Sequence, residues 1–161
     1  MSAQFTIRQA TPEDAHFIAE LIQELADFEK MPDGPQLTVE NLADDLRREA
    51  VFVKLAFSGE KCAGMVLYYL AYSSWQGQYV HMEDLNVKPE FRRRGLARLL
   101  VKRLAKEAYE NKMKRINWNV LDWNQGARDF YATLGAVDLS KEEGWLIYRL
   151  ADDKIRQVAE S

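Results

Sequence analysis

The sequence predicts an α/β protein of the α+β kind: a mixed, mainly antiparallel twisted sheet of about six to seven strands, flanked by about four helices. Three observations predict it. Short apolar runs separated by glycine-containing turns recur, two of them joined through Ser58-Gly59-Glu60-Lys61 as a hairpin. Other stretches carry apolar residues at helical spacing behind capping residues. A strand that ends near Val87 is followed by an amphipathic helix, and such a crossover makes two neighbouring strands parallel.

Taken in order, Gln4 to Gln9 alternates through Phe5 and Ile7 and reads as a short strand. Thr11-Pro12-Glu13-Asp14 supplies an N-cap, a first-turn Pro and acidic residues for a helix. Ile18, Leu21, Ile22, Leu25 and Phe28 form its apolar face, and Met31 to Pro35 breaks it. Thr38 caps a second helix carrying Leu42 and Leu46. Val51 to Phe57 and Cys62 to Tyr72 are the hairpin strands; Gln76-Gly77-Gln78 turns into another strand, Tyr79 to Val87. From Gly95, residues Leu96, Leu99, Leu100, Leu104 and Ala108 make one stripe, with Arg98, Lys102 and Lys106 facing outward. Ile116 to Leu121 is a further strand. Asn124 caps a short helix that bears Ala127, Phe130 and Tyr131 and ends at Gly135. Trp145 to Leu150 reads as a last strand before a charged tail.

The 161 residues, 47% of them hydrophobic, suit one well-filled core, so the expectation is a single domain, 1–161. A net charge of −3 argues against a general nucleic-acid binder, and makes the basic stretch from Lys88 to Arg103 a local feature on an acidic body. One cysteine, Cys62, excludes an intrachain disulfide, and with two histidines it makes a metal cage an unpromising reading. Met1 to Arg8 lacks the layout of a secretory signal, and the longest apolar run, Cys62 to Tyr72, is too short for a bilayer. The expectation is a cytoplasmic protein with no membrane or nucleic-acid partner and no metal.

The most telling stretch is Leu85-Asn86-Val87-Lys88-Pro89-Glu90-Phe91-Arg92-Arg93-Arg94-Gly95-Leu96-Ala97. A strand stops at a Pro, arginines follow, and a glycine opens a helix. The free N–H groups and positive dipole end of a helix attract an anion, and a residue without Cβ lets a pyrophosphate come close. Arginine adds charge and forked donors. Alone, the same residues would serve equally as a solvated basic turn.

Further segments resolve that choice. Arg92-Arg93-Arg94-Gly95-Leu96-Ala97 resembles the Arg/Gln-x-x-Gly-x-Gly/Ala signature of the GNAT N-acetyltransferases. The resemblance extends through Ile7-Arg8-Gln9-Ala10, Leu25-Ala26-Asp27-Phe28-Glu29, Trp75-Gln76-Gly77 and Met82-Glu83-Asp84. It continues in Asp122-Trp123-Asn124, Phe130-Tyr131, Leu134-Gly135-Ala136 and Glu142-Glu143-Gly144-Trp145. Together these resemble the diamine acetyltransferase branch, which includes spermidine/spermine and thialysine acetyltransferases.

The resemblance implies acetyl-CoA as co-substrate. Leu85, Asn86 and Val87, splayed from the Ile116–Leu121 strand, would pair with the pantetheine arm. Arg92, Arg93, Arg94, Gly95, Leu96, Ala97 and Arg98 would surround the pyrophosphate, and Asn124, Gln125, Gly126 and Ala127 would lie near the thiol end. Tyr131 would be the general acid, its phenol giving a proton to the thiolate leaving group as the thioester breaks. Glu83 would be the base for an amine that is charged in water. Phe28, Glu29, Glu83, Asn117, Trp118, Asn119 and Glu143 would line the amine pocket, and a homodimer is expected. Plainer readings stand beside these: Asn124 as a helix cap, Tyr131 as a core aromatic, each Glu as solvated surface.

Strand alternation alone puts His81, Glu83, Leu85 and Val87 on one face and Asp84 on the other. His81 could join a proton path or be structural, and Asp84 reads equally as an ion-pairing or interface carboxylate and as a substrate contact. One departure bears on the substrate. The spermidine/spermine pattern carries Asp-Pro before the turn tryptophan, whereas this chain has Ser73-Ser74-Trp75. That points to a short amine or an amino acid with a side-chain amine. The alternatives are a protein lysine or N-terminal acetyltransferase and a non-catalytic acetyl-CoA-binding module.

Overall fold

The structure, a computed structural model, describes residues 5–161, so Gln4, expected to open the first strand, lies outside the described residues. The chain forms two compact units that meet in sequence between Asn119 and Val120.

In the first unit, five strands lie in the order β1-β2-β3-β4-β5: Thr6–Gln9, Phe52–Ser58, Lys61–Ser73, Gly77–Val87 and Ile116–Asn117. Neighbours are antiparallel except β4 and β5, which are parallel as the crossover required. Two helices, α1 (Ala15–Phe28) and α2 (Val39–Arg47), precede β2; α3 (Leu96–Glu110) joins β4 to β5.

Leu55, Val53, Met65 and Leu67 share one sheet face, and they pack with Ile18, Leu21 and Leu42 of α1 and α2. On the opposite face lie Tyr68, Val66, Val80 and Met82, all buried. There α3 turns in Leu96, Leu100 and Leu104, also buried, so the expected stripe is present. Near its C-terminal end Glu107 accepts from the Tyr68 hydroxyl at 2.8 Å and from the Lys54 ammonium. These bonds satisfy polar groups that would otherwise cost free energy under the helix.

Thr11 caps a single 3-10 turn, Pro12–Asp14, before α1 begins. Asp14 accepts from both Arg8 Nη atoms at 2.7 Å and from the Thr11 N–H at 2.8 Å. The Arg8 hydrogen bonds lower its carboxyl to about 2. Because the folded pKa is depressed, this contribution is present at neutral pH and fades as pH falls through that value. Thr38 caps α2, its hydroxyl accepting from Asn41 N–H. At Gly64 a Cβ would meet Asn86 O at 2.5 Å, so only glycine allows β3 to run this close to the end of β4.

The sequence reading needs three corrections. The fifth strand is two residues long, not Ile116 to Leu121, because β4 alone pairs with it and asparagines at 117 and 119 suit strands poorly. Trp145 to Leu150 forms no strand: β-branched and aromatic residues favour a strand only where a neighbour supplies hydrogen bonds and a packing surface. The sheet therefore has five described strands rather than six or seven. The third correction concerns the faces of β4. Leu67 pairs with Asp84, but Tyr68 pairs with Met82, so Glu83 is an extra residue, a β-bulge. Past the bulge the alternation reverses. Asp84 shares the face of His81 and Tyr79, while Leu85 and Val87 join Val80 and Met82.

The second unit holds three helices: α4 (Gln125–Ala132), α5 (Leu139–Glu142) and α6 (Asp153–Ala159). Asn124 caps α4 as expected, Oδ1 accepting from Ala127 N–H at 3.2 Å. The tail anticipated beyond Leu150 contains α6. Among the described residues no helix is long and apolar enough to cross a membrane.

Candidate functional site

Three carboxylates gather in the first unit. Glu29 caps the C-terminus of α1, Glu83 occupies the bulge, and Asp84 follows it. Asp84 and Glu29 line one cavity of about 240 Å3 together with Ile22, Leu25, Ala26 and Met31. Burial first, and then the Glu83 and Glu29 charges, push the Asp84 carboxyl up to about 6. Burial, and then Glu83, raise that of Glu29. Crowded, half-desolvated carboxylates of this kind attract a cation, which would relieve both costs. The apolar lining suits methylene groups.

Beside this cluster the His81 ring stacks on Tyr69, centroids 4.9 Å apart, and His81 Nε2 lies 3.4 Å from Glu83 Oε2. The bulge matters here. It presents Glu83 outside the regular pleat, half exposed, and turns Asp84 into the cavity face. Sequence reading kept Glu29 and Glu83 but set Asp84 on the wrong face, since one inserted residue leaves no signal in a single sequence.

The second set of residues surrounds the junction of β4 and α3. Pairing between β4 and β5 covers Val80↔Ile116 and His81↔Asn117, so Leu85, Asn86 and Val87 lie beyond the parallel pairing. Asn86 is buried, its amide donating to Leu21 O at 3.0 Å, a bond that ties β4 to α1. Arg92 Nε donates to Val87 O at 2.9 Å, and its guanidinium sits 6.0 Å from the Phe28 ring centroid. Arg93, at φ 62°, and Gly95, at φ 77°, are both left-handed. Gly95 is the N-cap of α3 and has no side chain to satisfy the first-turn N–H groups. Arg93, Arg94 and Arg98 are exposed around that helix start. An uncapped helix start, a residue without Cβ and exposed guanidiniums fit an approaching pyrophosphate.

Asn117 lies on β5, with Trp118 and Asn119 following it in the first unit. Tyr131 and Glu143 belong to the second unit. Tyr131 lies on α4 with its ring 5.5 Å from that of Phe130. Glu143 ends α5 and accepts from Trp145 Nε1 at 2.6 Å. Gln125, Gly126 and Ala127 form the first turn of α4. Among the described residues no group of three His, Cys, Asp or Glu side chains could hold a metal ion. Cys62 is buried in β3, as its apolar run suggested. Sequence reading gave Arg115 no role, although it stands at the far end of the Asp84 face, over the Tyr79 ring.

The sequence model of the acetyltransferase (GNAT) family matches residues 16–136. A thialysine N-epsilon-acetyltransferase of Caenorhabditis elegans is 46% identical over 156 residues, 97% of this chain and 98% of that one. A thialysine N-epsilon-acetyltransferase of Bos taurus is 36% identical over 163 residues, 95% of this chain and 96% of its own. A solved structure of a predicted acetyltransferase with acetyl-CoA, from Clostridium acetobutylicum, shares the fold at 17% identity. The match covers 91% of this chain and 96% of that one, with a TM-score of 0.72. With a family match over most of its length and full-length relatives of this similarity, the chain belongs to the acetyltransferase (GNAT) family.

Proposed function

We propose that this protein, acting as one N-acetyltransferase domain over residues 1–161, transfers the acetyl group of acetyl-CoA to the side-chain amine of a small amino acid or short diamine, with a thialysine-like acceptor favoured. The observation that carries this is the carboxylate cluster of Glu29, Glu83 and Asp84, two of them on one small, otherwise apolar cavity. A protein side chain presented on a peptide would need a groove, and a pocket this small suits a free amine.

In this reading the exposed arginines and the start of α3 hold the pyrophosphate, and the edge of β4 past the β5 pairing aligns the pantetheine arm. Acetyl-CoA, when bound, supplies the activated acyl group as a thioester. Asp84 and Glu29 hold the acceptor as its ammonium, while Phe28, Asn117, Trp118 and Asn119 border its methylenes, and the family resemblance adds Glu143 as a further acidic residue for the amine. Glu83 then takes the proton, through water, so that the amine attacks with its lone pair. Tyr131 gives its proton to the departing sulfur. No covalent enzyme intermediate is required, because holding the two reactants in line supplies much of the rate. The exposed apolar run from Trp145 to Leu150, with Tyr148 at 89% exposure, supports a homodimer in which a second copy covers it.

The test follows CoA release with thialysine, ornithine, lysine, putrescine, spermidine and spermine, in the wild type and in Tyr131→Phe. The expected result is turnover led by the amino acids, and a Tyr131→Phe protein that binds acetyl-CoA yet loses roughly a hundredfold or more in kcat. Preference for spermine over every amino acid would sink the substrate assignment. Unchanged turnover in the variant would remove Tyr131 from the chemistry.

A further inference from the structure

The cavity face of β3 and β4 does not end at the carboxylates. Beyond Asp84 the same face carries His81 stacked on Tyr69, then Tyr79, and then, at the hairpin end, Ser73. Arg115, one residue ahead of β5, closes that end. Its Nε donates to Gln76 Oε1 at 2.8 Å, one Nη2 donates to Ser73 Oγ at 3.1 Å, and its guanidinium lies 5.2 Å from the Tyr79 ring centroid. Ser73 Oγ also accepts from the Trp75 and Gln76 N–H groups, so the turn that grips Arg115 is itself pinned. Acidic groups stand at one end of this face and a fixed cation at the other.

We infer that Arg115 is a specificity-determining residue, selecting acceptors that carry a carboxylate beyond the reacting amine. This rests on the acetyl-transfer reading of the same face. A guanidinium has five N–H donors, and the two bonds to Gln76 and Ser73 leave three, in a fork whose shape matches a carboxylate. Its position is fixed before the ligand arrives, which lowers the ordering cost of binding. On β3, Leu67 opposite Asp84 and Ala71 opposite Tyr79 are four residues apart, about 13 Å. Side chains reach inward from both ends, and the span that remains matches the length of one short zwitterion. A polyamine would instead bring a second ammonium up to Arg115. The identity of residue 73 completes the argument. The aspartate of the spermidine/spermine pattern would neutralise Arg115, whereas Ser73 holds it by a neutral bond and leaves its charge for the ligand.

The experiment compares thialysine with bis(2-aminoethyl) sulfide, the same molecule without its carboxylate. Both are measured with the wild type, Arg115→Gln, Arg115→Lys and Ser73→Asp, by turnover at saturating acetyl-CoA and by calorimetric titration without it. Arg115→Gln is expected to raise the thialysine KM about tenfold or more, with kcat little changed and the diamine unaffected or improved. Arg115→Lys should recover part of the loss. Ser73→Asp, which leaves Arg115 in place, should shift preference toward the diamine. Equal losses for both amines in Arg115→Gln, or a thialysine KM that does not move in Arg115→Gln and Ser73→Asp alike, would overturn the inference. If neither amine is turned over, acetyl transfer to such acceptors fails as a reading. The heats then decide about Arg115: a thialysine preference lost in Arg115→Gln upholds it, and no preference refutes it.

Discussion

At position 84 a carboxylate is held where its charge is unwelcome. Burial and two acidic neighbours push its pKa from 3.8 to about 6. A raised carboxyl means that the folded state keeps its proton longer than the unfolded chain. Stability therefore falls as pH rises between those two values, and the penalty is fully present at neutral pH. By linkage the shift corresponds to roughly 2–3 kcal/mol, an upper bound once local relaxation is allowed. Asp84→Asn should accordingly melt higher than the wild type at pH 7 but not at pH 4, and should bind the amine about tenfold or more weakly. Thermal melts at the two pH values, with the amine KM, check this. A variant less stable at pH 7 would mean that the carboxylate has a stabilising partner instead.

Elements matter through their ends. The α3 helix is anchored by three buried leucines and by Glu107 near its C-terminus, which leaves its N-terminus rigid and uncapped. Gly95 adopts φ 77°, where an L side chain is strained by about 1 kcal/mol, although nothing lies within 4 Å of an added Cβ. Gly95→Ala is thus expected to fold, to lose about 1 kcal/mol in denaturant titration, and to raise the KM for acetyl-CoA more than that for the amine. A purely structural glycine would leave both KM values unchanged. At the other end of the connection, the bulge at Glu83 decides which acidic side chain meets the cavity.

Across the whole molecule, the net charge of −3 conceals a basic segment from Lys88 to Arg103. A local positive field on an acidic body speeds the approach of a multiply charged anion and is screened by salt. For acetyl-CoA, kcat/KM should fall severalfold as ionic strength rises from about 0.01 to 0.15 M, where the Debye length shrinks from ~30 to ~8 Å. Inorganic pyrophosphate should compete more strongly at the low-salt end. A flat salt profile would show that the arginines act, if at all, by contact alone.

From sequence, the helices α1 to α4, the hairpin, the parallel crossover and the glycine-led start of α3 were legible. Each depends on local terms: residue period, caps at Thr38 and Asn124, and a glycine where the backbone turns left-handed. The family resemblance singled out Glu29, Glu83 and Tyr131, and the structure gathers the first two beside Asp84. Tertiary structure decided what depends on partners. Trp145 to Leu150 has strand-like residues but pairs with no strand among the described residues, and Asp84 changes face through one unpaired residue. Arg115 acquires meaning from Ser73 and Gln76, about forty positions earlier. Strand pairing and charge contact are non-local, so a chain read one residue after another cannot display them.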